Sequence, residues 1–492
     1  MLARNFGALL FVACLPASGV MLDPDGRGQA LIFPYYTAHD ARGNAFNTLL
    51  SIVNHSSDAK AVRVTFREGR NAKAVASFNL FLGPNDVWTG AVAATGGGGT
   101  RLVTADLSCT EPPFTTDGAL LSLPFLTGAQ LNDNLPAEPE RTREGFVEAI
   151  EMATLSGASA AAVAHDPSGR PVNCGGVRAP ATVSVTTPTG NLSGTLTLIN
   201  VASGEDFTLN AEALAGLSRI PFYRAAADPY PDFNVAEIDP VSLVMTPEYV
   251  FRSEWRRPVD AVSAALMRSA WRGEVVFDAG TNSSTEFVVT FPTQRFYLEQ
   301  YGSAGFTDFF GIQPFNDGSC LPPSIKSSGQ AVQAVGFDRE SRNVTYRDET
   351  ITSGAIRDRG TFCGAASVWD FVNYPPDGQA IAASKVLGAR NRANSTGVNR
   401  GPVTESGWWG FSAVPEWGGR PPLASLGTSV RMTIATGEST TGFHLHYGLP
   451  VIGFAVRTFE NGTLGCSAGI CQGNYGGAFP LKYSRRVDVL PR

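Results

Sequence analysis

Between Asn47 and Val92 the chain alternates apolar and polar side chains over four consecutive runs, and nothing else in it constrains the fold as strongly. Val62, Val64 and Phe66 point one way while Arg63, Thr65 and Arg67 point the other. Phe78, Leu80 and Leu82 repeat the pattern against Ser77 and Asn79. A period of two with one apolar face is what a half-buried antiparallel strand requires. It assigns Arg63, Thr65 and Arg67 to solvent. His55-Ser56-Ser57-Asp58 and Gly83-Pro84-Asn85-Asp86 supply the turns, through Asx-type hydrogen bonds and a proline-fixed φ. The stretch predicts half of a β-sandwich.

The remainder obeys the same grammar. TLTLINVASGEDFTLNAEAL, from Thr195, has the layout of TLLSIVNHSSDAKAVRVTF in the opening block and reads as a weak internal repeat of a sandwich unit. Val262 to Ala270 is the best helix candidate. Glu274 to Phe296 gives two strands joined at Gly280-Thr281-Asn282-Ser283-Ser284, and strands resume at Ser429–Ala435, Thr441–Tyr447 and Val451–Phe459. Asn132–Arg143, Ala225–Asp239, Asp317–Gly329, Ile356–Gly364 and Gly388–Gly407 read as loops, the last three being the expected seat of any function. A chain of 492 residues exceeds one ordinary core. The expectation is all-β: two or three Ig-like β-sandwich units with long loops and few short helices. The division is 1–19 signal peptide, 20–180 first sandwich, 181–300 second unit and 301–492 loop-rich C-terminal region.

Arg4, the apolar Phe6–Ala13 and the small residues Ala17-Ser18-Gly19 have the form of a cleavable export signal. Phe11-Val12-Ala13-Cys14 is an imperfect lipobox, so lipidation at Cys14 is the alternative. Without Cys14 the cysteines are Cys109, Cys174, Cys320, Cys363, Cys466 and Cys471, an even set that an oxidising compartment should pair. The sequence-nearest pairing is 109–174, 320–363 and 466–471. A net charge of −6 and the absence of a basic stripe exclude a nucleic-acid partner. No segment approaches the ~20 apolar residues of a membrane helix. The chain end, VDVLPR, lacks the terminal aromatic usual in an outer-membrane barrel.

GRGQALIFPYYTA from Gly26, FVVTFPTQRFY from Phe287 and GLPVIGFAVRTFENG from Gly448 together resemble a family of exported, β-rich proteobacterial proteins that carries no assigned activity. The resemblance spans nearly the whole chain after the leader. It implies export and β-rich architecture, and it supplies no catalytic residue.

Few residues offer chemistry. His444-Leu445-His446 is the best metal candidate, since alternate residues on a strand project both imidazoles from one face. The competing reading leaves both histidines on the solvent face while Phe443, Leu445 and Tyr447 pack inward. Glu148 and Glu151 are the plausible carboxylate pair. On a strand they face opposite sides, which spoils acid–base partnership within the pair; either could still pair with a distant carboxylate, against the simpler reading of a charge at a strand edge or a buried ion pair with an arginine. Trp408, Trp409 and Trp417, among Gly, Ser and Pro, suggest an aromatic platform that could stack on sugar rings or plug the rim of a sandwich. Gly465-Cys466-Ser467-Ala468-Gly469 matches GxSxG without the strand–turn–helix context that the nucleophile elbow needs. Thr95–Thr100 is a glycine-rich hairpin tip, for no lysine or helix comes after it to make a phosphate loop.

The expectation is an exported, non-catalytic structural or binding protein of the cell envelope or surface, without a cofactor. A glycan or another envelope protein is the expected partner. The alternative is a carbohydrate-binding or carbohydrate-active protein that uses the loop tryptophans.

Overall fold

In the computed structural model, which describes residues 19–41, 44–115, 118–121, 138–278, 280–297, 315, 318–319, 328–343, 359–371, 383–390, 406–413, 425–433, 439–466 and 469–491, the opening block forms four strands. These are Asn47–Asn54, Lys60–Glu68, Ala74–Leu82 and Val87–Ala94. They do not share one sheet. Lys60–Glu68 and Ala74–Leu82 pair as a hairpin in an eight-stranded sheet beside Glu144–Leu155 and Ala30–Thr37. Asn47–Asn54 and Val87–Ala94 pair in a six-stranded sheet beside Leu192–Asn200. The two sheets pack face to face through Phe78 on Trp88, 5.6 Å between centroids, and through Phe33 against Gly194. This is a sandwich, and the chain is all-β, with no sheet closed on itself among the described residues.

The first sandwich extends past residue 180. Leu192–Asn200 lies directly beside Asn47–Asn54, and Glu212–Ala215 pairs with Ala30–Thr37 in the other sheet. The two stretches with similar layout are therefore neighbours in one sheet. Their next strands diverge. Glu205–Asn210 folds back on Leu192–Asn200 as a hairpin, whereas Lys60–Glu68 crosses to the opposite sheet. The glycine run ends as a hairpin tip between Val87–Ala94 and Thr100–Val103.

Among the described residues the second half carries three larger sheets, besides a two-stranded pairing of Met267–Arg268 with Leu449–Pro450. Ser284–Thr290 pairs with Ala366–Asp370 and Ile452–Cys466, and Gly407–Ser412 lies between Ala270–Val275 and Ser328–Asp338. Between these sheets sits an aromatic core of Trp271, Phe287, Phe291, Phe362, Trp369 and Phe411. Val250–Glu254, Ser425–Thr433, Ser439–Tyr447 and Arg486–Pro491 belong to the third.

The α-helices among the described residues are Gly157–Val163 and Pro258–Leu266. The second lies earlier than the periodicity of Val262–Ala270 predicts. Pro258 fixes its first turn, where a missing N–H costs nothing, and Arg257 reaches Asp260 at 2.7 Å. No helix among the described residues is long and apolar enough to cross a membrane.

Candidate functional site

The alternation of Lys60–Glu68 is real, but its polar face is not solvated. Arg63, Thr65 and Arg67 are buried. The Ala225–Asp239 stretch lies across them, and the carbonyl oxygens of Ala225 and Asp228 accept from the Arg63 guanidinium at 2.6 and 2.8 Å. Asn79 accepts from its Nε at 2.8 Å. The period shows which residues share a face. Whether a face meets water depends on a loop that starts some 160 residues later in the chain.

Glu148 and Glu151 lie on Glu144–Leu155, a strand buried along its whole length. Glu148 accepts from Arg67 Nε at 2.6 Å and from Arg295 at 2.7 Å. Burial alone would raise its pKa, but the two guanidinium groups outweigh burial and hold it below the usual carboxylate value. Glu151 accepts from Lys60 Nζ at 2.9 Å and from the Thr189 and Gly190 N–H groups. There burial wins over Lys60, and the pKa is raised. Both carboxylates are buried and ion-paired.

The same device recurs. Glu68 accepts from the N–H groups of Arg70 and Asn71, and Arg141 pairs with it at 3.2 Å. Glu286 accepts from Val386 and Leu387 N–H and from Ser384 Oγ. The Gln29 amide clamps Leu217, Ser218 and Pro188. Buried polar groups tie loops to the strands beneath them, because an unpaired N–H in a dry site costs about 1–3 kcal/mol.

His444 and His446 are fully buried, not solvent-facing. Ser253 Oγ lies 2.9 Å from His444 Nδ1 and 3.2 Å from His446 Nε2 and bridges the two rings; with a single hydroxyl proton, it accepts from at least one of them. Leu445 and Tyr447 are buried too, so this strand is covered on both faces. Burial pushes the pKa of His444 down to about 4. His446 falls to about 3 through burial, reinforced by His444 and Arg485. Both rings are neutral at pH 7. Among the described residues no cluster of three His, Cys, Asp or Glu side chains could hold a metal ion.

Trp408 and Trp409 sit on Gly407–Ser412. Trp409 is buried over Gly336, where a Cβ would lie 2.5 Å from its ring, and meets Phe371 at 5.5 Å. A buried indole cannot stack on a sugar. Trp408 is half-buried and stacks on Phe337 at 5.0 Å. Trp417 lies outside the described residues, as do most of the long loops after Asp317. Cys109 and Cys174 form a disulfide. Cys363 is disulfide-bonded, and Cys320 lies outside the described residues. The backbone places Cys466 opposite Gly469 and Cys471 opposite Leu464, so the described strands on either side of the GxSxG match pair antiparallel; its Ser467 lies outside the described residues.

One open concavity stands apart from these buried networks. A groove of about 560 Å³ crosses the outer face of the six-stranded sheet, lined by Leu49, Ser51, Thr89, Ala91, Thr195 and Thr197 among others. None of its lining residues is ionisable. Ser51 and Thr195 hydroxyls meet at 2.7 Å, and Thr197 meets Thr208 at 2.8 Å. Sequence reasoning missed this face because Ser, Thr and Ala on alternate positions look like ordinary solvated residues. Comparison with protein-family models, curated proteins and solved structures finds no match.

Proposed function

We propose that this is an exported, non-catalytic binding protein of the cell envelope, and that its ligand occupies the groove between Leu49 and Thr197. The observation that carries the reading is that this groove offers methyl groups and hydroxyls without a single titratable side chain. General acid–base and nucleophilic catalysis both need such a group within hydrogen-bond reach of the substrate. Glu148, Glu151, His444 and His446 are committed to buried structural contacts. The ligand class this surface suits is uncharged. Export, and membership of the exported family that the sequence resembles, belong to the same proposal. The disulfide between Cys109 and Cys174 supports export.

The test has two arms. Purified protein is expected to turn over no ester, glycoside or peptide above a boiled control, and clear turnover would end the reading. In a screen of neutral glycans and envelope proteins, a hit should weaken at least ~10-fold with Leu49→Glu.

A second reading keeps the sugar-binding role but moves it to Trp408, whose stacked, half-buried ring is the one observation in its favour. A glycan-array signal abolished by Trp408→Ala and indifferent to Leu49→Glu would select it.

A further inference from the structure

Arg268 ends the strand Met267–Arg268, and Arg485 directly follows Lys482–Ser484. The Ser269 N–H donates to the Ser484 carbonyl at 2.9 Å, so the two arginines lie on adjacent antiparallel segments. Each guanidinium is fixed from one side. Arg268 stacks over the Tyr483 ring at 4.8 Å, and the Tyr483 hydroxyl is anchored by donating to the Gly453 carbonyl at 2.9 Å. Arg485 Nη2 donates to the Ala265 carbonyl at 2.6 Å, in the last turn of Pro258–Leu266, where the helix dipole favours a cation.

Most donors of the pair have no acceptor. A guanidinium carries five N–H donors. Among the described residues Arg268 uses one, in a long contact of 3.5 Å to the Met267 carbonyl, and Arg485 uses the one to Ala265. Arg268 is 6% exposed, and its Nε is buried without a partner, as is Nη1 of Arg485. The acid that acts on both is Glu212, on the Glu212–Ala215 strand of the first sandwich, and among the described residues it makes no ion pair with either. Burial holds the Tyr483 phenol well above its usual value, so it is neutral. His446, on which Arg485 also acts, is neutral too. Two guanidiniums against one carboxylate leave an excess of one positive charge. Burial, and then Arg268, hold Arg485 well below the usual guanidinium value, with Glu212 pulling the other way. A buried charge without a partner is strongly unfavourable, and the planar fork of a guanidinium matches an oxyanion.

We propose that Arg268 and Arg485 bind a small monoanionic carboxylate, which takes the free donors of both and balances the charge that Glu212 leaves over. Its size follows from burial. Arg268 is covered and Arg485 half-buried, so the ligand enters past Arg485 and little more than its carboxylate is enclosed. Its charge follows from the count, since a dianion would turn the excess negative. Neither arginine lines the groove between Leu49 and Thr197, so this is a second site of different chemistry.

Saturation-transfer NMR on the full chain at neutral pH reads binding through the acetate methyl group. Acetate should receive saturation from the wild type, and formate should displace it at comparable concentration. Chloride and sulfate should each need at least ~10-fold more. Arg268→Met removes the excess charge and should fold and lose the signal. Arg268→Lys, which keeps the charge without the fork, should weaken acetate at least ~10-fold and serves if the methionine variant does not fold. Glu212→Gln raises the excess to two positive charges and should bring sulfate level with acetate or ahead of it. No transfer to acetate in the wild type overturns the site, as does displacement by chloride as readily as by formate, or a signal unchanged in the Arg268 variants. An unchanged sulfate ranking in Glu212→Gln overturns the charge count and the monoanion with it.

Discussion

The two outer faces of the first sandwich carry the same alternating pattern and meet opposite fates. On the eight-stranded sheet the outward residues include Arg63, Thr65, Arg67 and Glu148, and they are buried under later segments of the chain. On the six-stranded sheet they are Leu49, Ser51, Thr89, Thr195 and Thr197, and they line an open groove. The charged face is dry and the neutral face is wet. Charges on the covered face give the covering loops something to attach to: backbone carbonyls for Arg63 and Arg295 for Glu148. The neutral face lacks such anchors, and its groove stays open among the described residues.

The largest effect should come from breaking an anchor under the cover. Glu148→Ala would leave Arg67 and Arg295 buried without their shared carboxylate, a loss of about 3–5 kcal/mol measurable by urea denaturation. A loss below about 1 kcal/mol would show that water reaches this face and that the cover is loose. Next comes the staple. Cys109–Cys174 closes a sequence separation of 65 residues and fixes the Cys174–Val177 turn to the edge of the charged sheet. Cys109→Ser with Cys174→Ser should cost about 2–4 kcal/mol. Exchange should rise in residues 219–239 before it rises in the groove strands, because Tyr223 is tied to Val177.

How far the sequence could reach is set by the same contrast. Strand existence and antiparallel pairing were legible from period two in Val62–Phe66 and Phe78–Leu82, because alternation is a local property. The Cys109–Cys174 bond and the strand, rather than helix, setting of Glu148 and Glu151 were legible for similar reasons. Which face meets water was not. Arg63 is buried by carbonyls from residues 225–228, and His444 by a hydroxyl at residue 253; neither partner has any sequence signature. The early boundary at 180 fell for the same reason, since Leu192–Asn200 reads as a new unit until its partner Asn47–Asn54 is known. Glu286 was hidden as one charge in an apolar run, and its role rests on the Val386 and Leu387 N–H groups about a hundred residues later.

The histidines extend the comparison to a third buried polar node, one held by neutral groups. His444 and His446 have folded pKa values of about 4 and about 3, below the ordinary imidazole value of 6.5. The unfolded chain therefore binds protons more readily as pH falls below that value. The stabilisation these rings provide is complete above pH 6.5 and is lost on acidification towards their folded values. The expected slope is up to about 1.4 kcal/mol per pH unit for each ring. His446→Gln should flatten the acid limb of a stability–pH curve taken from denaturant melts. An acid limb of unchanged slope would mean that the carboxylates dominate it.

The smallest effects belong to the open face, and smallness is the point of the test. Leu49 is 43% exposed, and the Ser51–Thr195 hydroxyl pair is solvent-accessible, so water can replace what a substitution removes. Thr195→Val and Leu49→Glu should each stay within about 0.5 kcal/mol of wild type. By contrast, Thr65→Glu on the covered face would bury an unpaired charge and should cost several times as much. If Leu49→Glu instead lowered stability by more than about 1 kcal/mol, and did so in a concentration-dependent way, the groove would be covered in solution by a second copy. Both faces of the sandwich would then be sheltered, one by the chain itself and one by its partner.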